Sequence, residues 1–149
     1  MGRVKPVGGA VLRDQRPTIG GSHECRIPGG THTGAGGQPL PFSSAVKAGP
    51  FVFVSGQVAM GANGEIVPGG IEAQTRQTLK NVEKALALAG CALKDVVKST
   101  VWLDDARDFW TFNRVYAEFF PENKPARSTT QATLMIDAKV EIEVVAYRA

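Results

Sequence analysis

The chain has 149 residues, which suits one domain with a real core, and its 43% hydrophobic and 21% charged residues are ordinary for a soluble globular protein. Its excess charge is local: residues 1–38 hold Arg3, Lys5, Arg13, Arg16 and Arg26 against Asp14 and Glu24, while the remainder balances twelve basic with twelve acidic residues. The domain proper is therefore not a basic nucleic-acid platform, and nucleic acid is not an expected partner. Two cysteines, Cys25 and Cys91, exclude a disulfide framework and lack Cys-x-x-Cys spacing, so reduced thiols in a cytoplasmic protein are expected. No apolar run approaches the roughly 20 residues that span a bilayer. The N-terminus lacks a signal-peptide core, and Pro6 occupies the position where a myristoylation motif needs Ser or Thr.

Residues 1–38 carry ten of the seventeen glycines and read as a weakly structured extension that would lose much entropy on ordering. Within it His23, Glu24, Cys25 and His32 match no zinc spacing, while residues 29–34 are a stretch that can dock on the domain. The domain is expected over 39–149. Ser44–Lys47 and Phe51–Ser55 read as strands joined by a turn at Ala48-Gly49-Pro50. A glycine-rich loop around Gly61, Gly64, Gly69 and Gly70 follows.

From Ile71 to Ala89, apolar or small residues at 71, 75, 78, 79, 82, 86 and 89 form a helical stripe that Gly90 stops. Cys91, just beyond, reads as a packing residue rather than a nucleophile. Val96–Leu103 is a β-branched and aromatic strand. Asp105 is placed to cap a helix over Ala106–Phe120, with Phe109, Phe112, Asn113, Tyr116, Phe119 and Phe120 near one face. Pro121 and Pro125 end it, and strands follow over about Ala126–Thr133 and Lys139–Tyr147. The order β-β-α-β-α-β-β predicts an α+β two-layer domain with helices on one sheet face. Phe51–Val54 and Val144–Ala146 are consecutively apolar, so both faces of the sheet need cover, and an oligomer of closed symmetry is expected.

Arg127, inside Pro125-Ala126-Arg127-Ser128-Thr129, is the residue with the clearest chemistry. A guanidinium on a strand offers a fixed fork of donors that suits a carboxylate. Alternation puts Arg127, Thr129 and Gln131 on one face of their strand, and Glu141 with Glu143 on one face of the last. If those strands are neighbours, a glutamate meets Arg127. Spacing alone favours a structural Arg–Glu pair that fixes strand register, or charges at an exposed edge. Asn113 fits a loop tie as well as a site, and Ser55-Gly56-Gln57 fits a plain turn as well as an anion-binding backbone. No Walker loop, dinucleotide fingerprint or zinc motif is present.

Several segments together carry a family resemblance across about residues 40–148. They are Phe53-Val54-Ser55-Gly56-Gln57, Gln74-Thr75-Arg76-Gln77 with Asn81-Val82, Asp95-Val96-Val97-Lys98-Ser99-Thr100-Val101, Phe109 with Asn113-Arg114-Val115-Tyr116, Pro125-Ala126-Arg127-Ser128 and Val140-Glu141-Ile142-Glu143. In this order they resemble the Rid family of reactive-intermediate deaminases, also called YjgF-type or RidA-like. The resemblance implies a chorismate-mutase-like subunit, a homotrimer with sites in the clefts between subunits, and hydrolysis of enamines and imines such as 2-aminoacrylate to 2-oxo acids and ammonia without a cofactor or metal.

Carried over, Arg127 would clamp the substrate carboxylate and Glu141 would orient water or assist proton transfer. The Gly56 backbone, with Ser55 nearby, would hold another substrate oxygen. Thr129 stands where relatives carry Cys or Thr, Asn113 matches an asparagine near the site, and Phe42 stands where many carry Tyr. Phe42, the altered segment 134–139 and the long extension depart from the family pattern and bear on the substrate side chain. The alternatives are a non-catalytic trimer that binds small acids or acts as a chaperone, deamination of a larger enamine such as 2-aminomuconate, and, disfavoured by the neutral domain, RNA cleavage.

Overall fold

The computed structural model describes residues 38–149, so the expectations for the extension, including His23, Glu24, Cys25, His32 and the docking of 29–34, fall outside the described residues. Strand β1 (Ala45–Ala48) and β2 (Phe51–Gln57) form an antiparallel hairpin. Its turn needs Gly49, whose φ of 59° lies in the left-handed region. Helix α1 (Ile71–Leu88) follows, then a 3-10 turn (Leu93–Asp95) and β3 (Val96–Leu103). A second 3-10 turn (Ala106–Asp108) leads into α2 (Phe109–Phe119), and β4 (Ala126–Gln131) and β5 (Val140–Tyr147) complete the sheet.

The order across the sheet is β1-β2-β5-β3-β4. All neighbours are antiparallel except β3 and β4, which run parallel because α2 forms the crossover between them. The α+β two-layer architecture expected from the element order, with its chorismate-mutase-like topology, is what the chain adopts. Two details differ from the sequence reading. The helix expected over 106–120 begins as the 3-10 turn over 106–108, which leads straight into α2; the Asp105 carboxylate caps this start, accepting from the Arg107 N–H at 2.8 Å. The last two strands are not neighbours, since β3 lies between them.

Both helices cover one face of the sheet. Val52, Val54, Val101, Leu103, Ile142 and Val144 meet Leu79, Val82, Leu86 and Phe112 there, all buried. Burying that many aliphatic side chains, at about 1.5–3 kcal/mol each, is the main force that seats the helices. The other face has no helix. Phe51 and Phe53 of β2 lie beside Tyr147 and Val145 of β5 in register, and Phe53 and Tyr147 remain 47% and 45% exposed. Phe51 and Tyr147 meet edge to face at 5.3 Å. Consecutive apolar residues in these strands thus have one buried and one open side.

Between Val54 and Gln57 the pairing with β5 slips: Val54 opposes Val144 while Gln57 opposes Ile142. Three steps on β2 match two on β5, so β2 carries one extra residue there, a β-bulge around Ser55 and Gly56.

Candidate active site

The residues singled out from the sequence fall into two groups on opposite faces of the sheet. The first lies at the bulge. Glu141 opens β5 on the helix-free face, and its side chain reaches the Cα of Gly56; a methyl added there would lie 2.0 Å from Glu141 Oε1. Glycine at 56 thus leaves the space that this carboxylate occupies. Ser55 donates its hydroxyl to the Ser43 carbonyl at 2.6 Å, and its N–H donates to the Ser44 carbonyl at 2.9 Å. These bonds tie the segment bearing Phe42 to the end of β2. Phe42 is half exposed. The Glu141 carboxyl is half-buried, and this burial lifts its pKa above the ordinary carboxylate range, with the charge of Glu143 pushing the same way.

The second group lies on the helix side at the β4 edge. Arg127 Nη2 donates to Asn113 Oδ1 at 2.7 Å. The guanidinium carbon sits 4.7 Å from the Tyr116 ring centroid and 5.3 Å from that of Phe112. All three partners come from adjacent turns of α2, so one helix face sets the direction of the guanidinium. None is a carboxylate, and among the described residues Arg127 forms no ion pair. It is oriented by an amide and two π faces that leave its charge uncompensated, while its remaining donors stay open to an anion. Thr129 stands two residues on, on the same strand face.

Arg127 is opposite Ser99 on β3, which is opposite Val144 on β5. Glu141 lies three residues from Val144, two strands away from β4. By strand spacing and rise the two α-carbons are about 14 Å apart, with side chains on opposite faces. Within one chain Arg127 and Glu141 do not meet, which removes the structural Arg–Glu pair as an account of either residue. Two surface cavities of the described residues, of about 320 and 620 Å³, lie elsewhere: the smaller is lined by Ser44, Gln57, Met60, Asn81 and Lys84 among others, and the larger by Glu72, Arg76, Thr111 and Arg114 among others. Among the described residues no group of three or more His, Cys, Asp or Glu is placed to hold a metal, and no helix is long and apolar enough to cross a membrane.

Sequence reasoning placed Phe112 and Tyr116 on one helix face and gave them no part in the site. They are buried, but they are also the shelf beneath Arg127. The signal was the Phe-Asn-x-x-Tyr spacing at 112, 113 and 116, which puts three side chains on one helix face. Burial raises the Tyr116 phenol above its ordinary range, against smaller opposite effects of Ser99 and Arg127. By distance and angle neither hydroxyl closes a hydrogen bond with the other.

The chain is similar to known proteins over the same span. A family model described as Endoribonuclease L-PSP matches residues 37–148. A RutC family protein of Pyrococcus horikoshii is 48% identical over 110 residues, 72% of this chain and 87% of that protein. The 2-iminobutanoate/2-iminopropanoate deaminase of Mus musculus is 42% identical over 108 residues, covering 71% and 80%. Among solved structures, Escherichia coli TdcF with bound serine superposes with a TM-score of 0.73 at 36% identity, covering 83% of this chain and 99% of that one. With the matched span, the relatives and the superposed structures in agreement, the chain belongs to the Endoribonuclease L-PSP family, the Rid or YjgF-type proteins.

Proposed function

We propose that the protein hydrolyses reactive 2-imino acids and their enamine tautomers to 2-oxo acids and ammonia, without a cofactor, in sites shared between copies of the chain arranged as a homotrimer. One observation carries the reading: Arg127 is held by Asn113, Phe112 and Tyr116, none of them charged, so its full positive charge remains for a substrate carboxylate. The relatives support it, since one is named a 2-iminobutanoate/2-iminopropanoate deaminase and another was solved with serine, a small amino acid.

The chemistry balances with water alone. Protonation of an enamine at its β-carbon gives the iminium, R–CH2–C(=NH2+)–COO−. Water then attacks the C=N carbon while the π pair moves to nitrogen. One water proton passes to the amine, the C–N bond breaks as C=O forms, the hydroxyl proton passes to the departing ammonia, and ammonium leaves. Arg127 fixes the carboxylate and neutralises it beside the reacting carbon. Glu141, whose pKa is lifted by burial, carries protons between water, carbon and nitrogen. The Gly56 backbone, with Ser55, faces the remaining oxygen; Thr129, Asn113 and Phe42 line the cleft. Imines hydrolyse unaided in water, so positioning can supply most of the acceleration.

Because Arg127 and Glu141 project from opposite faces, a complete site needs Arg127 from one copy and Glu141 with Gly56 from another. The open apolar face bearing Phe51, Phe53, Val145 and Tyr147 is the surface on which copies would join. Residues 39–149 balance twelve basic with twelve acidic residues, a composition that disfavours a nucleic-acid platform, so deamination ranks ahead of the RNA cleavage named in the family model's description.

The test couples a threonine or serine dehydratase to the purified protein and follows the lifetime of the imine. Arg127→Ala is expected to lose about 2–5 kcal/mol of transition-state stabilisation. No acceleration by the intact protein, or full acceleration by Arg127→Ala, refutes the reading. Binding of small acids without turnover would instead support the non-catalytic trimer.

A further inference from the structure

The bulge leaves Ser55 and Gly56 without strand partners of their own. Pairing of β2 with β5 reaches Val54 and resumes at Gln57, and β1 begins opposite Val54. No register partner therefore fixes Gly56, the residue whose α-carbon meets the Glu141 carboxylate. Its place is set by ties on either side. On the N-terminal side Ser55 is bonded to the carbonyls of Ser43 and Ser44. On the C-terminal side the ties come from α1.

Gln77 and Asn81 stand one turn apart on α1, beside the buried stripe of Thr78, Leu79 and Val82. The Asn81 amide nitrogen donates to the Val58 carbonyl and to the Met60 carbonyl, each at 2.9 Å. The Asn81 oxygen accepts from Gln77 Nε2 at 3.0 Å, and that same nitrogen donates to the Met60 carbonyl at 3.3 Å. Both donors of each amide are used, and the bond from Gln77 decides which end of Asn81 faces the loop. Val58 lies two residues beyond Gly56. Just past it the chain turns, with the Met60 N–H on the Val58 carbonyl at 2.8 Å and Ala59 fully buried. The exit of β2 is thus fastened to α1 by a pair of amides.

We infer that Asn81, oriented by Gln77, is a positioning residue for the reaction: it holds the exit of β2 so that the Gly56 backbone and the Glu141 carboxylate keep their places. The inference rests on the reading of Glu141 and Gly56 as one side of the imine-hydrolysing site. The bonds of Asn81 go to Gln77, Val58 and Met60, so its influence on Glu141 passes through the backbone of residues 56–58. A bulge has few ladder bonds to resist displacement, and misplacing a reacting group by about 1 Å can slow a reaction a hundredfold. Arg127 stands on β4, at the far edge of the sheet from these ties. Loosening them therefore falls on the chemical step and spares the grip on the substrate carboxylate.

The experiment follows the imine released by a threonine dehydratase, with the thermal midpoint and oligomeric mass of every variant checked first. Asn81→Asp keeps the side chain's size but turns a carboxylate toward two carbonyls. Its kcat is expected to fall roughly tenfold with KM changed less than about threefold. Gln77→Ala frees the Asn81 amide to turn and is expected to lower kcat about threefold. It decides the matter if Asn81→Asp does not fold. In a Gly56→Ala background, where the carboxylate is already displaced, either substitution is expected to add less than about twofold, whereas an independent effect would multiply in full. An unchanged kcat, a loss carried by KM instead, or full multiplication in the double variant overturns the assignment. Failure of wild type to accelerate hydrolysis overturns the reading of the site itself, and the two failures are thereby distinct.

Discussion

The carboxylate of Glu141 rests against the α-carbon of Gly56, where a side-chain methyl would come within 2.0 Å of Oε1. The contact exists because the bulge on β2 adds a residue opposite the start of β5. The atoms that would be struck, Oε1 and Cδ, belong to the far end of a side chain and not to the backbone, so the fold can yield by turning the carboxylate away. Gly56→Ala is expected to leave the thermal midpoint near that of wild type while displacing the carboxylate, and to lower kcat for imine hydrolysis by roughly a hundredfold, a general acid–base contribution. A variant with unchanged kcat would show that the position of Glu141 does not matter.

Tyr116 separates two roles in one side chain. Its ring lies under the Arg127 guanidinium, while its buried hydroxyl has no hydrogen-bond partner. Tyr116→Phe keeps the ring and removes the hydroxyl, so stability is expected to hold or to rise by about 1 kcal/mol, with kinetics unchanged. Tyr116→Leu removes the π face. The loss of about 0.5–2 kcal/mol of guanidinium anchoring is expected as a raised KM with a smaller change in kcat. Equal kinetic damage in both variants would assign the effect to the hydroxyl instead.

The raised pKa of Glu141 has a defined sign in stability. The folded chain holds more proton at this carboxyl than the unfolded chain does between the two pKa values. The contribution is therefore fully present below the unfolded pKa and is lost as pH rises through the folded one. Glu141→Gln is expected to raise the thermal midpoint relative to wild type near neutral pH, and the difference is expected to close in acid. A difference constant across that range would mean that ionisation of Glu141 is not its cause.

The opposite orientation of Arg127 and Glu141 makes complementation possible. Arg127→Ala and Glu141→Gln are each expected to be inactive. Mixed by co-unfolding and refolding at equal amounts, they would form hybrid trimers in which one site of three joins an intact arginine to an intact glutamate. Activity of about a quarter of wild type is then expected from random assortment. No recovery from such a mixture, with hybrids confirmed by mass, would place each site within a single copy.

Much of this molecule was legible in the sequence because its signals are local. The stripe from Ile71 to Leu86 specifies α1, since residues three and four apart share a helix face. Strand β4 could be placed from Pro125 and the run of Ser and Thr that follows it, yet its neighbour could not. Whether β4 pairs with β3 or β5 is settled by the handedness of a crossover and by competition for sheet edges, neither of which is encoded in any short segment. The extra residue at Ser55 and Gly56 was equally hidden, because a bulge is a mismatch between two strands and neither strand alone contains it.

The sequence by itself determined the elements, the single helical layer and the residue types able to grip a small acid, because periodicity and side-chain chemistry act over a few residues. Only the tertiary structure decided that Asn113, Phe112 and Tyr116 aim Arg127, and that Glu141 points away from it on the other face of the sheet. The physical reason is that a β-sheet has two sides. Alternation tells which residues share a side of one strand, while pairing across β3 tells which side each strand turns to the helices.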